Sequence, residues 1–193
     1  MPINNITYKL IRDMKTAGIL PGRPYVLELG ESNWYGDLPI EKLERDIDEF
    51  VDHQETRETL RAGCQSCRAM LSETPPQYEA LWELSHIFYR VFLDYEDYHA
   101  IDLGGSGNAM KLDLNHEIKL DRQYDIVIDF GTAEHVFNVY QLFKTVHEVT
   151  KPGGFIFHGL PFHGWVDHGF FNFQPTFFLD LAAANDYQIK ILV

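Results

Sequence analysis

The stretch YDIVIDFGTAEHVFN, Tyr124 to Asn138, decides how the chain is read. Ile126, Val127 and Ile128 form an apolar run of high β propensity, which marks a buried strand. Asp129, Thr132, Glu134 and His135 follow at once, so carboxylates, a hydroxyl and an imidazole stand on the lip of that strand. The next segment, VFNVYQLFKTVHEVT, carries apolar residues at helical spacing. KPGG stops that helix and FIFHGL reads as another strand. A strand, a helix and a second strand in this order are the unit of a parallel sheet.

Working outward, the same alternation recurs. Toward the N-terminus, YHAIDLGG reads as a strand closing on glycines and NAMKLDLN as a short strand. YVLELG, Tyr25 to Gly30, is a buried strand ending in glycine. Ahead of it, Ile6, Leu10, Ile11 and Met14 give residues 5–17 one apolar helical face. From Pro39 to about Tyr98 the chain reads as helical, with Pro39 at a first helical position, Asp37 as its capping candidate, and a second helix over Tyr78 to Leu93. Toward the C-terminus, QPTFFLDLAAANDY reads as a helix with Pro175 in its first turn, and QIKILV as a last strand. The expected fold is α/β: a three-layer Rossmann-like sandwich with a largely parallel sheet. It is read as a single domain over residues 1–193, with a helical insertion at about residues 39–78.

Composition narrows the classes of function. At 45% hydrophobic and 14% aromatic, the 193 residues can build a sizeable core. A formal net charge of −13 repels a phosphate backbone, so no nucleic-acid partner is expected. No apolar run reaches the length of a membrane span, and MPINNITYKLIRDMK does not read as a signal peptide. The two cysteines, Cys64 and Cys67, exclude a disulfide framework and read as reduced residues on one helix face, which points to the cytoplasm. The partner expected is a small molecule, and a homo-oligomer is left open.

In an open parallel sheet, ligands sit beyond the carboxyl ends of the strands. Glu28 to Gly30, Asp102 to Gly104, Asp113 and Asp129 to Gly131 all fall at or just past strand ends. Carboxylates placed there accept hydrogen bonds from ribose hydroxyls or a base amino group, or pair with an ammonium. An acidic lip without a lysine-bearing phosphate loop favours a nucleoside ligand that carries no phosphate and has a cationic end. Each feature also has a plainer reading: Gly30 as an ordinary strand-to-helix turn, Asp102 as a turn cap, Glu134 as an acid in the first turn of a helix. DLGGSG has the glycines of a dinucleotide loop but not the G-x-G-x-x-G spacing or room for the helix such a loop opens.

Histidine is the natural proton acceptor near neutral pH, and a hydroxyl becomes a nucleophile only when its proton can leave. His135, His163 and His168 are the base candidates. A divalent ion on His163, Asp167 and His168 is a further reading of HGWVDH, but that spacing is not a rigid site and no metal ligand is assigned.

The motifs together resemble class I S-adenosylmethionine-dependent methyltransferases. VLELGES is similar to the family's first motif, AIDLGG to its second and KLDLN to its third. YDIVIDFGTAEHVFN followed by KPGGFIF resembles the fourth-strand region of ubiquinone-biosynthesis-like and sugar-modifying members. HGFFNFQPTFFLDLAAANDY resembles the end of a bacterial saccharide-modifying subgroup. The resemblance implies that Glu28, Gly30, Asp102, Asp113 and Leu114 hold S-adenosylmethionine, with Asp129 and Phe130 bordering its methionine end. It implies methyl transfer to a small polar acceptor, a sugar or hydroxylated metabolite, most simply as O-methylation. The first motif has one glycine where the family has two or three, and the family's seventh strand has no candidate. A non-catalytic scaffold on the same fold is the rival expectation.

Overall fold

A computed structural model describes residues 3–193. Residues 1 and 2, which belong to the single-domain and leader readings, lie outside the described residues. Among the described residues there are six α-helices and a four-stranded, all-parallel sheet. The helices are α1 (Asn5–Thr16), α2 (Ile40–Phe50), α3 (Gln54–Ser72), α4 (Glu79–Leu93), α5 (Val139–Val149) and α6 (Pro175–Ala184). The strands are β1 (Tyr25–Leu29), β2 (Asp97–Ile101), β3 (Tyr124–Asp129) and β4 (Thr150–His158), in spatial order β2-β1-β3-β4.

Beyond β2, a parallel bridge from Ile101 to Met110 carries the expected short strand only as far as one pairing. The chain thus runs outward from β1 through β2 to Met110, then returns to the other side of β1 with β3 and β4. The order reverses between β1 and β3, which is the switch point where such sheets place ligands. This architecture is compatible with a Rossmann-like fold.

Period-2 alternation divides the sheet between two cores. Val26, Ile126, Ile128 and Phe157 point to the first, built with Tyr8, Ile11, Leu43, Ile47, Cys64, Leu84, Phe88 and Phe92 of α1 to α4. Leu27, Leu29, Ile101 and Val127 point to the second, built with Leu142, Val146 and Val149 of α5 and with Leu114 and Phe173. The helical insertion is part of the first core, because Leu43, Ile47, Cys64 and Cys67 are buried in the same cluster as α4.

Local chemistry fixes the helix ends. Asn4 caps α1, its Oδ1 accepting from the Ile6 and Thr7 amides at 2.9 and 3.0 Å. Buried Asp46 on α2 accepts from the Tyr8 hydroxyl at 2.6 Å and from Arg12 Nε at 3.1 Å, which docks α1 on α2. Pro39 precedes α2 rather than opening it, and Asp37 accepts from Asn5 instead of capping.

Two sequence expectations change. KPGG does not form a turn between α5 and β4; it lies inside β4. Pairing goes from Tyr124↔Thr150 to Ile126↔Phe155, so β4 spends five residues where β3 spends two. Gly153 takes φ +79°, and a Cβ on Gly154 would meet Lys151 O at 2.9 Å, so both glycines are needed for this irregularity. The last segment, QIKILV, forms no strand: Ile189, Ile191, Leu192 and Val193 are exposed. β4 is the edge strand of the sheet, and the segment does not pair along it. No helix of the described residues is long and apolar enough to cross a membrane.

Candidate functional site

The acidic residues read from the sequence do reach the carboxyl edge of the sheet, but they do not share one face. Glu28 pairs in register with Ala100 and Ile128, whereas Asp129 pairs with Leu29 and His158. Being one residue out of step, the two carboxylates point to opposite sides. Glu28 and Phe130 belong to the first core side, while Asp129 and Leu114 belong to the second. Strand parity therefore keeps Glu28 and Asp129 from bordering one hollow.

Glu28 is fully buried and saturated by protein donors. Oε1 accepts from Ser32 Oγ at 2.5 Å and Tyr89 Oη at 2.6 Å; Oε2 accepts from Ser32 N at 3.0 Å and from the Tyr98 hydroxyl. Burial, followed by the charge of Glu28, pushes the Tyr89 and Tyr98 phenols well above their ordinary range. This carboxylate organises the interior beneath the first turn.

Gly30 takes φ +75°, and its amide donates to Ile101 O at 2.8 Å. The space a Cβ would occupy is filled by Thr132, whose Oγ1 lies 1.9 Å from that position and donates to Leu29 O at 2.7 Å. The glycine is required by this staple across the switch point.

Asp102 is half-buried and holds the two loops together. Its Oδ2 accepts from Glu31 N at 2.9 Å and its Oδ1 from Gly104 N at 2.7 Å. Each oxygen keeps a second acceptor position. Glu31 in turn accepts from Ser106 N at 2.5 Å and Ser106 Oγ at 2.8 Å, folding the GGSG turn back over the end of β1. A 290 Å³ cleft beside β2 is lined by Glu31, His86, Tyr98 and Asn108 among others. Asp113 sits farther along the rim, half-exposed. Hydrogen bonds from the backbone and side chain of Asn115 hold its carboxyl below the usual range. Asn115 then accepts from the Asn138 amide at 2.9 Å, which joins Asp113 to the start of α5.

The histidines converge on the other half of the edge. After β3, Ala133–His135 forms a single 3-10 turn whose Thr132 and Ala133 amides both donate to Asp129 Oδ1 at 3.2 Å. Asp129 Oδ2 lies 2.9 Å from His158 Nδ1 at the end of β4, and Asp129 is fully buried. A carboxylate can only accept, so it fixes the proton on Nδ1 and leaves Nε2 as the acceptor. Nε2 has no protein hydrogen-bond partner among the described residues. Phe143 and Phe178 flank the ring at 5.1 and 5.4 Å.

His135 and His168 meet beside Glu134, with ring centroids 4.9 Å apart. Burial, followed by the neighbouring His168, lowers the His135 pKa, while burial raises that of Glu134. His163 does not join them; it is exposed and rests against Phe162. In the sequence His158 stands with His163 and His168 after a strand but is not among the base candidates, and Glu134 reads only as an acid in a first helical turn. The only signal for His158 was its position one residue past the apolar run of β4, where it pairs with the acid ending β3.

The chain matches no protein-family model, no curated protein and no solved structure in the comparisons. Its class therefore rests on its own geometry: an α/β protein with a parallel sheet and a chemistry-bearing carboxyl edge.

Proposed function

We propose that the protein is an S-adenosylmethionine-dependent methyltransferase acting on a small polar acceptor, a sugar or hydroxylated metabolite, at oxygen. The observation that carries this reading is the strand order: its reversal between β1 and β3 brings Gly30, Asp102 and Asp113 to one carboxyl edge beside a histidine cluster. Within the reading, the fold is a three-layer sandwich lacking the seventh strand, residues 1–193 form one domain, and the setting is the cytoplasm.

The residues fit one half of the cofactor better than the other. Asp102 and Asp113 are half-exposed carboxylates with free acceptor positions, as an adenosine moiety requires, and Leu114 supplies buried apolar surface next to Asp113. On the methionine side, Glu28 is saturated and Thr132 fills the space over Gly30, so that half must be held by other groups. When bound, the cofactor supplies a sulfonium methyl group for direct displacement. The chain's own work is to orient the acceptor and take its proton. His158, locked by Asp129, is the proton acceptor in this reading, and His135 and His168 line the same side.

A scaffold without catalysis is the second reading, favoured by the Thr132 staple and the saturated Glu28. Calorimetry separates the two. Binding of S-adenosylmethionine, weakened in Asp102→Ala, supports the enzyme; absence of heat at millimolar ligand supports the scaffold.

A further inference from the structure

Glu134 presents a problem that methyl transfer does not solve. Its side chain is fully buried (0% exposed), yet neither Oε1 nor Oε2 has a hydrogen-bond partner among the described residues. A buried carboxylate without partners is among the least favourable arrangements in a protein. Its surroundings keep it there. The Phe170 amide donates to Glu134 O at 2.7 Å, and a Cβ on Gly169 would meet that oxygen at 2.8 Å, so the loop after β4 closes directly on Glu134. That closure delivers His168, which Trp165 backs at 4.9 Å between ring centroids.

Oε1 of this carboxylate lies 3.4 Å from His168 Nε2 and 3.9 Å from His135 Nε2. One donor atom from each of the three residues falls within 4.8 Å of the others. Ligands at about 2.0–2.1 Å from a tetrahedral ion stand roughly 3.3 Å apart, so the Glu134–His168 pair already has about that separation, while the exposed His135 has to move in by roughly half an ångström toward Glu134 and to close on His168, whose donor atom lies within 4.8 Å. Two imidazoles and one carboxylate are the donor set for a borderline cation such as Zn²⁺, and three protein ligands leave one position open. His135 is exposed, so the cluster reaches solvent on that side.

We infer that Glu134, His135 and His168 form a binding site for a divalent transition-metal cation of the Zn²⁺ type. The cation supplies the partner that Glu134 lacks and replaces contact between two imidazoles by coordination of both. The inference stands without the methyl-transfer reading, because it concerns metal binding and not turnover.

The test is calorimetric titration of the metal-stripped full chain with ZnCl₂, backed by metal content after dialysis. Wild type and His163→Ala, which alters the same loop outside the cluster, are expected to bind one Zn²⁺ per chain. Glu134→Gln and His168→Ala are each expected to weaken binding by more than about 100-fold, beyond the effect typical of outer-sphere partners. Circular dichroism checks that each variant is folded, and His168→Ala, on a loop, serves if the buried substitution misfolds. Failure of wild type to bind Zn²⁺, or undiminished binding by a folded Glu134→Gln or His168→Ala protein, overturns the assignment. Neither result bears on affinity for S-adenosylmethionine.

Discussion

Replacing Glu28 by Gln separates a structural carboxylate from a ligand contact. The carboxylate receives Ser32 Oγ and Tyr89 Oη on one oxygen and Ser32 N and Tyr98 Oη on the other. The amide keeps one acceptor and turns the other into a donor. Its best placement leaves the oxygen toward the Ser32 amide, which cannot reverse, and asks the Ser32 and Tyr89 hydroxyls to accept. Tyr89 Oη then falls back on Ser32 Oγ, 3.3 Å away. Two charge-assisted bonds become neutral and two must reorganise in the interior. At roughly 1.5–3 kcal/mol for a bond to a charged group against 0.5–1.5 for a neutral one, the loss is about 3 kcal/mol. In a chain of this length, that lowers Tm by about 6–12 °C. Urea unfolding followed by circular dichroism reads the loss as a shift in midpoint at constant slope. A loss below about 1 kcal/mol, accompanied by weaker cofactor binding, would refute the structural role.

Gly30→Ala should lose at least about 2 kcal/mol, since it combines a left-handed φ with a Cβ against Thr132, and Thr132→Ala in the same chain should restore part of it; additive losses in a double-mutant cycle would deny the staple. Asp129→Asn should move the His158 proton from Nδ1 to Nε2, because the amide can donate where the carboxylate only accepted; long-range ¹H–¹⁵N spectra would show the exchange, and an unchanged tautomer would contradict the pairing. Burial pushes the Cys64 and Cys67 thiols up to about 12 and about 11, so both should resist Ellman's reagent at pH 8 until the chain unfolds. The same shifts set a sign for stability. Above pH 9 the unfolded chain gives up its thiol protons first, so the thiol contribution falls as pH rises from 9 toward 11 and 12. Cys64→Ala with Cys67→Ala should flatten that decline in a pH series of denaturation midpoints.

What the sequence disclosed was set by how local each signal is. Apolar runs and helical spacing identify β1, β3, α1 and α4 within a residue or two, and β2 and α5 more loosely, because those patterns express which side of each element is buried. Residue order also carried the acids to the right edge of the sheet. It did not carry them to one face: the one-residue offset between Glu28 and Asp129 becomes visible only once β1 and β3 are in register. KPGG was misplaced because glycines that end a helix and glycines that permit an irregular strand look alike in a sequence. QIKILV has strand propensity, but pairing is non-local and the segment does not join the edge at β4. Gly30 was legible as special, but Thr132, 102 positions further along, is the reason. His158 and Glu134 were hidden for the same cause, since the partner of one and the missing partner of the other are properties of contacts between distant segments.

The proposed function requires the carboxyl edge around Gly30, Asp102 and Asp113 to receive the nucleoside part of a methyl donor. Titrating S-adenosylhomocysteine into ¹⁵N-labelled protein tests it most directly. Saturable shifts are expected in the amides of residues 30–32, 102–106 and 113–115. Spectra unmoved at millimolar ligand, or shifts confined to Tyr25, Arg122 and Lys151 at the opposite edge, would contradict it.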